Sequence, residues 1–461
     1  MRPGLLNLAS LKRERYRRRP VEWLDERLGE FAWSKQREIL NSVRDNRRTV
    51  VRSCHGAGKS FISSRCAAWW LDTHEPGEAF VVTSAPTAPQ VRAILWREIG
   101  RAHARGGLPG RVNQTEWFMP MDGGAREELV AFGRKPADTD PTAFQGIHAR
   151  YVLVIFDEAC GIPTDLWNAA DSLISNDDSR ILAIGNPDDP ATEFAEVCKP
   201  GSGWNVVGIS AHDTPAMTGE FVPEHVKPLL VGKTWVEEKL RRWGETNPLY
   251  RSKIMGEFPP TTDGGLFQPA WIRAAQERSL VASEPVELGV DVGAGGDRSV
   301  ICVRRGPVAR IISADTNPDT MQTCGHVIAT LREQGAAVAK VDPIGVGRGV
   351  VDRASELGAP VFGVNVGEGA EDNEAFENLR AELYWGLRER FQDGAIDIDP
   401  DDDDLAAELL SLRFERSSRG RLKIESKIDM QKRGVHSPDR ADALMLAFAK
   451  GYSGPAGSLF L

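Results

Sequence analysis

Lysine and serine stand together after a glycine-rich turn in Ser53-Cys54-His55-Gly56-Ala57-Gly58-Lys59-Ser60, which follows a β-rich run and precedes a helical one. A strand, a tight loop and a helix N-terminus aim backbone N–H groups at one point, which suits a phosphate. Lys59 would reach the β/γ oxygens and the Ser60 hydroxyl would ligate Mg²⁺. The pattern G-x-x-x-x-G-K-[S/T] asks for glycine at the first position, where this chain has Ser53. About 100 residues on, five apolar residues run from Val152 to Phe156 and end in Asp157-Glu158, as a buried central strand delivering two carboxylates should read. Asp157 would hold Mg²⁺ through water and Glu158 would orient the attacking water, so ATP hydrolysis is the implied chemistry. Gln36 lies upstream, where an amide can read adenine. Thr83-Ser84-Ala85-Pro86-Thr87 closes the next strand, and Gly185-Asn186 ends another, with Asn186 as a polar sensor.

A second set of acids lies in the C-terminal half. Asp291 sits inside the apolar run Val286-Glu287-Leu288-Gly289-Val290-Asp291-Val292, where a lone carboxylate is costly unless paired or metal-bound. Gly289, Gly293, Gly295 and Gly296 remove bulk around it, as a close substrate or metal would demand. Asp342 ends a later strand, and Asp439 and Asp442 open the last helix one turn apart. Acids so ordered can converge in a ribonuclease H-like fold, holding two divalent ions ~3.5–4 Å apart for phosphodiester cleavage. Asp297 is a candidate for the second metal. His436 is read as an exposed loop histidine.

The elements that must position these residues are those of an α/β protein. Strands are expected over 49–53, 79–84, 151–156, 180–184 and 204–209, with helices over 61–73 and 89–104. A Pro/Gly-rich stretch, 256–265, breaks the pattern. Beyond it come strands over 286–292, 299–305 and 309–315, a helix over 321–334, a strand over 337–342, a helix over 349–357, a strand over 360–366, and helices over 374–391 and 440–450. The expected organisation is a basic arm over 1–32, a RecA/ASCE-like P-loop ATPase domain over 33–255, a linker over 256–269 and a ribonuclease H-like nuclease domain over 270–461.

Composition narrows the class. A hydrophobic share of 41% and a charged share of 27% are those of a globular chain. No ~18-residue apolar run or signal sequence occurs, so an intracellular protein with no membrane span is expected. The six cysteines never reach C-x-x-C spacing, which argues against a zinc site and a disulfide framework. The net charge is −9, yet residues 1–20 hold seven basic residues and one acid, whereas 285–461 hold 21 basic residues against 29 acids. DNA binding needs a local basic track, so the total does not decide.

Together the Lys59-Ser60 loop, the strand ending in Asp157-Glu158, Gly185-Asn186-Pro187, Gly256-Glu257-Phe258 and the acids Asp291, Asp342 and Asp439 resemble the large terminase subunit of tailed bacteriophages, from about Trp33 to Ala449. The resemblance implies a motor that cuts concatemeric double-stranded DNA and pumps it into a procapsid using ATP. It further implies a portal protein, a small terminase subunit, and a homo-oligomeric ring, commonly a pentamer, in the host cytoplasm. By position, Lys59 and Ser60 would bind phosphate and Mg²⁺, Glu158 would be the catalytic carboxylate and Asn186 the coupling residue, while Asp291, Asp342 and Asp439 would hold Mg²⁺ or Mn²⁺. Many terminases carry arginine three residues before the Gly-Lys pair. This chain has His55 there, which leaves open a protonated His55, Arg52, or an arginine from a neighbouring subunit. A repair or restriction helicase-nuclease would need a second RecA-like domain, and the roughly 70 residues between Asn186 and Gly256 are too few. A structural DNA-binding protein with vestigial motifs is disfavoured by the intact Lys59, Asp157, Glu158 and nuclease acids.

Overall fold

The computed structural model describes residues 8–121, 124–135, 149–260, 264–293, 297–317, 319–417 and 420–450; Gly295, Gly296 and linker positions 261–263 lie outside them. The chain divides into two compact units, Met1–Glu238 with Arg251–Pro260, and Lys239–Tyr250 with Thr261–Leu461.

The first unit is built on eight strands: β1 (Arg48–Ser53), β2 (Ala79–Ser84), β3 (Arg111–Val112), β4 (Glu116–Met121), β5 (Arg126–Gly133), β6 (Tyr151–Asp157), β7 (Arg180–Gly185) and β8 (Asn205–Ile209). Their order is β3-β4-β5-β2-β6-β7-β1-β8. The strands from β5 to β8 run parallel, and β3 and β4 are added antiparallel at one edge. Strand β7 separates the phosphate-loop strand β1 from the carboxylate strand β6. Register puts Arg52 beside Gly185, and Asp157 beside Ile184, so all three strands deliver their loops to one edge. That edge, at the carboxyl ends of parallel strands, is where open α/β sheets bind ligands. After the first residue β6 is buried throughout, which accounts for its unbroken apolar sequence.

Helix Lys59–Thr73 buries twelve of its fifteen residues, including Arg65, which is paired with Glu30 and Glu98. Helices Leu8–Arg18 and Pro20–Leu28 are tied to it: Trp69 Nε1 donates to the Tyr16 carbonyl at 3.0 Å and Trp23 Nε1 to Asp72 at 2.9 Å. The N-terminal arginines are largely occupied locally. Arg15 pairs with Glu22 and Glu26, Arg18 with Glu14, and Arg19 with Glu22.

The second unit carries β9 (Val286–Asp291), β10 (Ser299–Arg305), β11 (Val308–Asp315), β12 (Val338–Val341) and β13 (Val361–Gly363), in the order β11-β10-β9-β12-β13. Strands β9 to β11 form an antiparallel meander, and β12 and β13 join parallel to β9. This is the ribonuclease H-like arrangement. Helix Asp439–Ala447 packs on β9 so closely that a Cβ at Gly289 would lie 2.1 Å from the Ala443 carbonyl oxygen. Gly289 therefore makes room for a helix, not for a substrate or metal.

Other expectations shift. Helix 374–391 begins only at Leu379, because Asn378 caps it by accepting the Ala381 N–H. The run expected as a helix over 89–104 is one wide π-type turn, Gln90–Leu95, followed by α-helix Trp96–Gly106. The acidic run near 400 starts a helix: Asp402 caps Asp403–Ser411, with Asp403 and Asp404 in its first turn, where the helix dipole favours negative charge.

Candidate functional site

Two sites emerge, one in each unit. At the first, the turn after β1 is made by Gly56 and Gly58, with φ of 69° and 82°. Only these two positions need glycine, so the serine at 53, still in β1, costs the loop nothing. Lys59 Nζ donates to Asn186 Oδ1 at 2.8 Å and lies 3.6 Å from Glu158 Oε1. Asn186 Nδ2 reaches back to the Ser53 carbonyl at 2.7 Å, so Asn186 ties β7 to the loop and holds its lysine. Ser60 Oγ donates to Asp157 Oδ2 at 2.9 Å.

Asp157 Oδ1 is buried with no hydrogen-bond partner, an unmet acceptor that a hard cation or its water would satisfy. Burial, then the Glu158 charge, pushes the Asp157 carboxyl up to about 7. A serine hydroxyl beside a carboxylate is an oxygen set suited to Mg²⁺, so the residues fit the ion. Glu158 adopts φ 50° and ψ 50°, the positive-φ non-glycine conformation among the described residues. Such strain collects at functional sites.

The remaining expected residues of this site are placed as follows. The Cys54 thiol is buried and pushed up to about 12 by burial, so it contributes backbone. Ala57 offers its carbonyl to both Trp33 Nε1 and Gln36 Nε2, each at 3.3 Å. Gln36 also accepts the Trp33 N–H at 3.4 Å, so one end of its amide braces the loop and the other caps its own helix. His55 is exposed, its ring 5.8 Å from that of Trp235, and its backbone N–H donates to the Lys253 carbonyl. Arg52 is committed to the Gly256 carbonyl at 2.5 Å.

In the second unit, Asp291 ends β9 and Asp342 follows β12, its parallel neighbour; the Asp342 N–H donates to the Val290 carbonyl. Asp439 and Asp442 share one face at the start of the helix that crosses β9 and β10. Asp291, Asp439 and Asp442 are buried and Asp342 is half-buried. Burial raises Asp291 well above the ordinary carboxylate range; Lys427 opposes, and Asp442, Asp439 and Asp342 add to the rise. Burial also raises Asp342 and Asp439. Asp442 goes the other way: Lys427 and Arg380 overcome its burial.

Lys427 supplies the missing positive charge, its Nζ 2.8 Å from Asp442 Oδ2 and 3.9 Å from Asp291 Oδ2. Tyr384 Oη donates to Asp442 Oδ1 at 2.5 Å, and Arg380 Nη2 lies 3.6 Å away. No group of three carboxylates already stands as a ligand sphere among the described residues. Four acids gathered around an ammonium fit a divalent-cation site in donor type and in charge. Asp442, expected among the ligands, is ion-paired with Lys427. Asp297 is exposed in the loop between β9 and β10, as is His436 ahead of the last helix.

Lys427, Arg380, Tyr384 and Arg298 escaped the reading of the sequence. Only Arg380 and Tyr384 carry a local signal, the i,i+4 spacing that puts both on one helix face.

A P-loop ATPase fold joined to a ribonuclease H-like nuclease fold in one chain is the class these sheets and sites define. Over 463 aligned positions the chain is 25% identical to "Probable terminase, large subunit" of Enterobacteria phage P7, covering 91% of this chain and 88% of that protein. No family model matches the chain. Among solved structures, the large terminase of a thermophilic bacteriophage aligns over 90% of this chain and 98% of its own, at 14% identity and a TM-score of 0.44. The nuclease domain of the large terminase subunit gp2 of bacterial virus Sf6 aligns over 40% of this chain and 97% of its own, at 24% identity and a TM-score of 0.36. Along nearly its whole length, then, this chain resembles a phage large terminase subunit.

Proposed function

We propose that the chain is the catalytic subunit of a viral DNA-packaging motor, with an ATPase domain built on the first unit and a metal-dependent endonuclease domain built on the second, which takes in residues 239–250, expected from the sequence in the ATPase domain. The observation that carries this reading is the presence, in one chain, of the Lys59–Asn186 and Ser60–Asp157 contacts and of four aspartates, Asp291, Asp342, Asp439 and Asp442, whose charges interact with one another and with Lys427. Lys59 binds the β/γ-phosphate oxygens and releases Asn186 in doing so, which couples the nucleotide to β7. Glu158, half-exposed beside Lys59, orients the attacking water as general base. Ser60 and Asp157 would hold Mg²⁺, and Asp291, Asp342 and Asp439 would hold Mg²⁺ or Mn²⁺. Ions so held would supply charge neutralisation at the phosphates and a more acidic attacking water.

Double-stranded DNA is the substrate of both activities: translocated by the first, cut from a concatemer by the second. The motor works in the host cytoplasm as a ring on the procapsid portal, with a small terminase subunit selecting the DNA. No helix among the described residues is long and apolar enough to cross a membrane. The test is plasmid cleavage by the purified chain with Mg²⁺ or Mn²⁺. Wild type should cut only with metal, and Asp291→Ala and Asp342→Ala should not cut. Undiminished cutting by either variant would overturn the assignment.

A further inference from the structure

The first turn of helix Asp439–Ala447, which carries two of the four acids, is held by a carboxylate from another helix. Glu408, on Asp403–Ser411, accepts the backbone N–H groups of Arg440 at 2.7 Å and Ala441 at 3.0 Å through Oε2. Its Oε1 accepts from Arg298 Nη2 at 2.9 Å. Arg298 in turn donates its own backbone N–H to Asp439 Oδ2 at 3.2 Å, and its Nε lies 3.8 Å from the same oxygen. These contacts close a loop that runs from Glu408 through the helix start to Asp439 and back through Arg298.

The helix has no local substitute for this. Its N-cap position is Pro438, which offers no side-chain acceptor, so the Arg440 and Ala441 amides would otherwise lack a protein partner, whereas the Asp442 N–H has the Pro438 carbonyl. The Glu408 side chain is only 12% exposed, and a carboxylate that far from water persists where a cation and N–H donors compensate it. Arg298 and the two amides oppose that cost, although burial still raises the Glu408 carboxyl well above the ordinary carboxylate range. Any shift of the first turn carries Asp439 and Asp442 with it, because both lie within that turn.

We propose that Glu408 is a positioning residue of the nuclease site: it fixes the first turn directly and Asp439 through Arg298, and so sets the affinity of the acids for a divalent cation. The proposal rests on the nuclease reading above. Ligand orientation must hold to within about 0.5 Å, and removing a group that orients metal ligands costs roughly 10–100-fold in metal affinity.

The experiment titrates Mn²⁺ into the full chain and follows free Mn²⁺ by electron paramagnetic resonance, for wild type, Glu408→Ala, Glu408→Gln and Asp291→Ala. Glu408→Ala should bind Mn²⁺ about 10–100-fold more weakly. Glu408→Gln should fall between, since its carbonyl oxygen still accepts the two amides while its NH₂ faces the Arg298 guanidinium. In cleavage assays the Mn²⁺ concentration for half-maximal rate should rise by the same factor, with the rate at saturating Mn²⁺ changed much less. If Glu408→Ala does not fold, Glu408→Gln decides. Wild-type Mn²⁺ affinity in a folded Glu408 variant overturns the proposal. Failure of wild type to bind Mn²⁺, or equal binding by Asp291→Ala, overturns the nuclease reading instead.

Discussion

Glu158 leaves β6 in a left-handed conformation that a non-glycine residue adopts at a cost of order 1–3 kcal/mol. What compels it is the neighbouring strand. The backbone at Glu158 and Ala159 passes so close to Gly185 that a Cβ there would sit 2.8 Å from the Ala159 nitrogen. Gly185 thus lets β7 support the turn that presents Glu158 to Lys59. Gly185→Ala should push that turn away and lower the ATPase turnover by roughly tenfold or more, while nucleotide still protects the protein against heat. Glu158→Gln should keep the turn but lose the base, cutting turnover by about 10²-fold or more, the usual scale for a general base. Steady-state ATPase with a nucleotide-dependent melting curve separates the two, and near-wild-type turnover in Glu158→Gln would remove it from the catalytic role. At this scale the sequence showed what local rules encode. Gly-Lys-Ser after a strand and Asp-Glu after an apolar run are contiguous, so the chemistry stands in the text of the chain. Lys427, Arg298 and Glu408 are single charged residues with no motif around them, and only the tertiary fold brings them to the acids.

The elements of the first unit were legible wherever a parallel strand is buried on both faces, because burial on both faces leaves a continuous apolar run. The strands β3 to β5 were not: β3 has two residues, and β4 and β5 are half-exposed additions with weak alternation. The helix Asp439–Ala447 shows how much an element owes to distant residues. Glu408 holds its start, and Lys340 its end, with Nζ donating to the Ala449 carbonyl at 2.6 Å and the Ala447 carbonyl at 3.3 Å. Lys340 is 1% exposed and pairs with Glu287 at 3.0 Å, which Arg304 also contacts at 2.7 Å. Negative charge at the N-terminus and positive at the C-terminus oppose the helix dipole at both ends. Lys340→Met strips the end carbonyls and half the neutralisation of Glu287, and breaking a buried pair costs about 3–5 kcal/mol. Denaturant unfolding should show that loss, with partial recovery in the Lys340→Met, Glu287→Leu double variant.

A second element-scale prediction concerns pH. His74 is buried between Trp70 and Tyr151, ring centroids 4.7 and 4.3 Å away, with Nδ1 donating to the Trp70 carbonyl. Burial lowers its pKa from 6.5 to about 4. Between those values the unfolded chain holds a proton that the folded one refuses, so stability rises with pH across that window and is lost as pH falls through it. The loss amounts to about 2 kcal/mol by pH 5. Against His74→Phe, which cannot titrate, wild type should lose that much more stability from pH 7.5 to 5; parallel losses would show that His74 takes up its proton as readily in the folded chain as in the unfolded one.

At the scale of the whole molecule, each unit carries its own core. One centres on β6 with Phe156, Trp167 and Phe194, the other on β9 and β12 with Leu288, Val290 and Val341. The phosphate site draws its side chains from Lys59, Ser60, Asp157, Glu158 and Asn186, all in the first unit. The carboxylate site draws on Asp291, Asp342, Lys427, Asp439 and Asp442, all in the second. Neither sheet needs a residue of the other to assemble its site, so the two chemistries should be separable by point mutation. Lys59→Ala would remove the charge proposed to meet the phosphates without touching β9 or the last helix. It should lower ATPase turnover by about 10²-fold or more and leave metal-dependent nicking of plasmid within about twofold of wild type, since positioned charges at a transferring phosphate are worth that much. Asp291→Ala should do the reverse, because the aspartate ends a strand whose core residues it does not contribute. Measuring both rates in both variants gives four numbers, and the expected pattern is one loss per variant on opposite activities. Loss of both activities in a folded Lys59→Ala protein would mean that cleavage waits on nucleotide, and the two sites would then act as one machine, not as two joined enzymes.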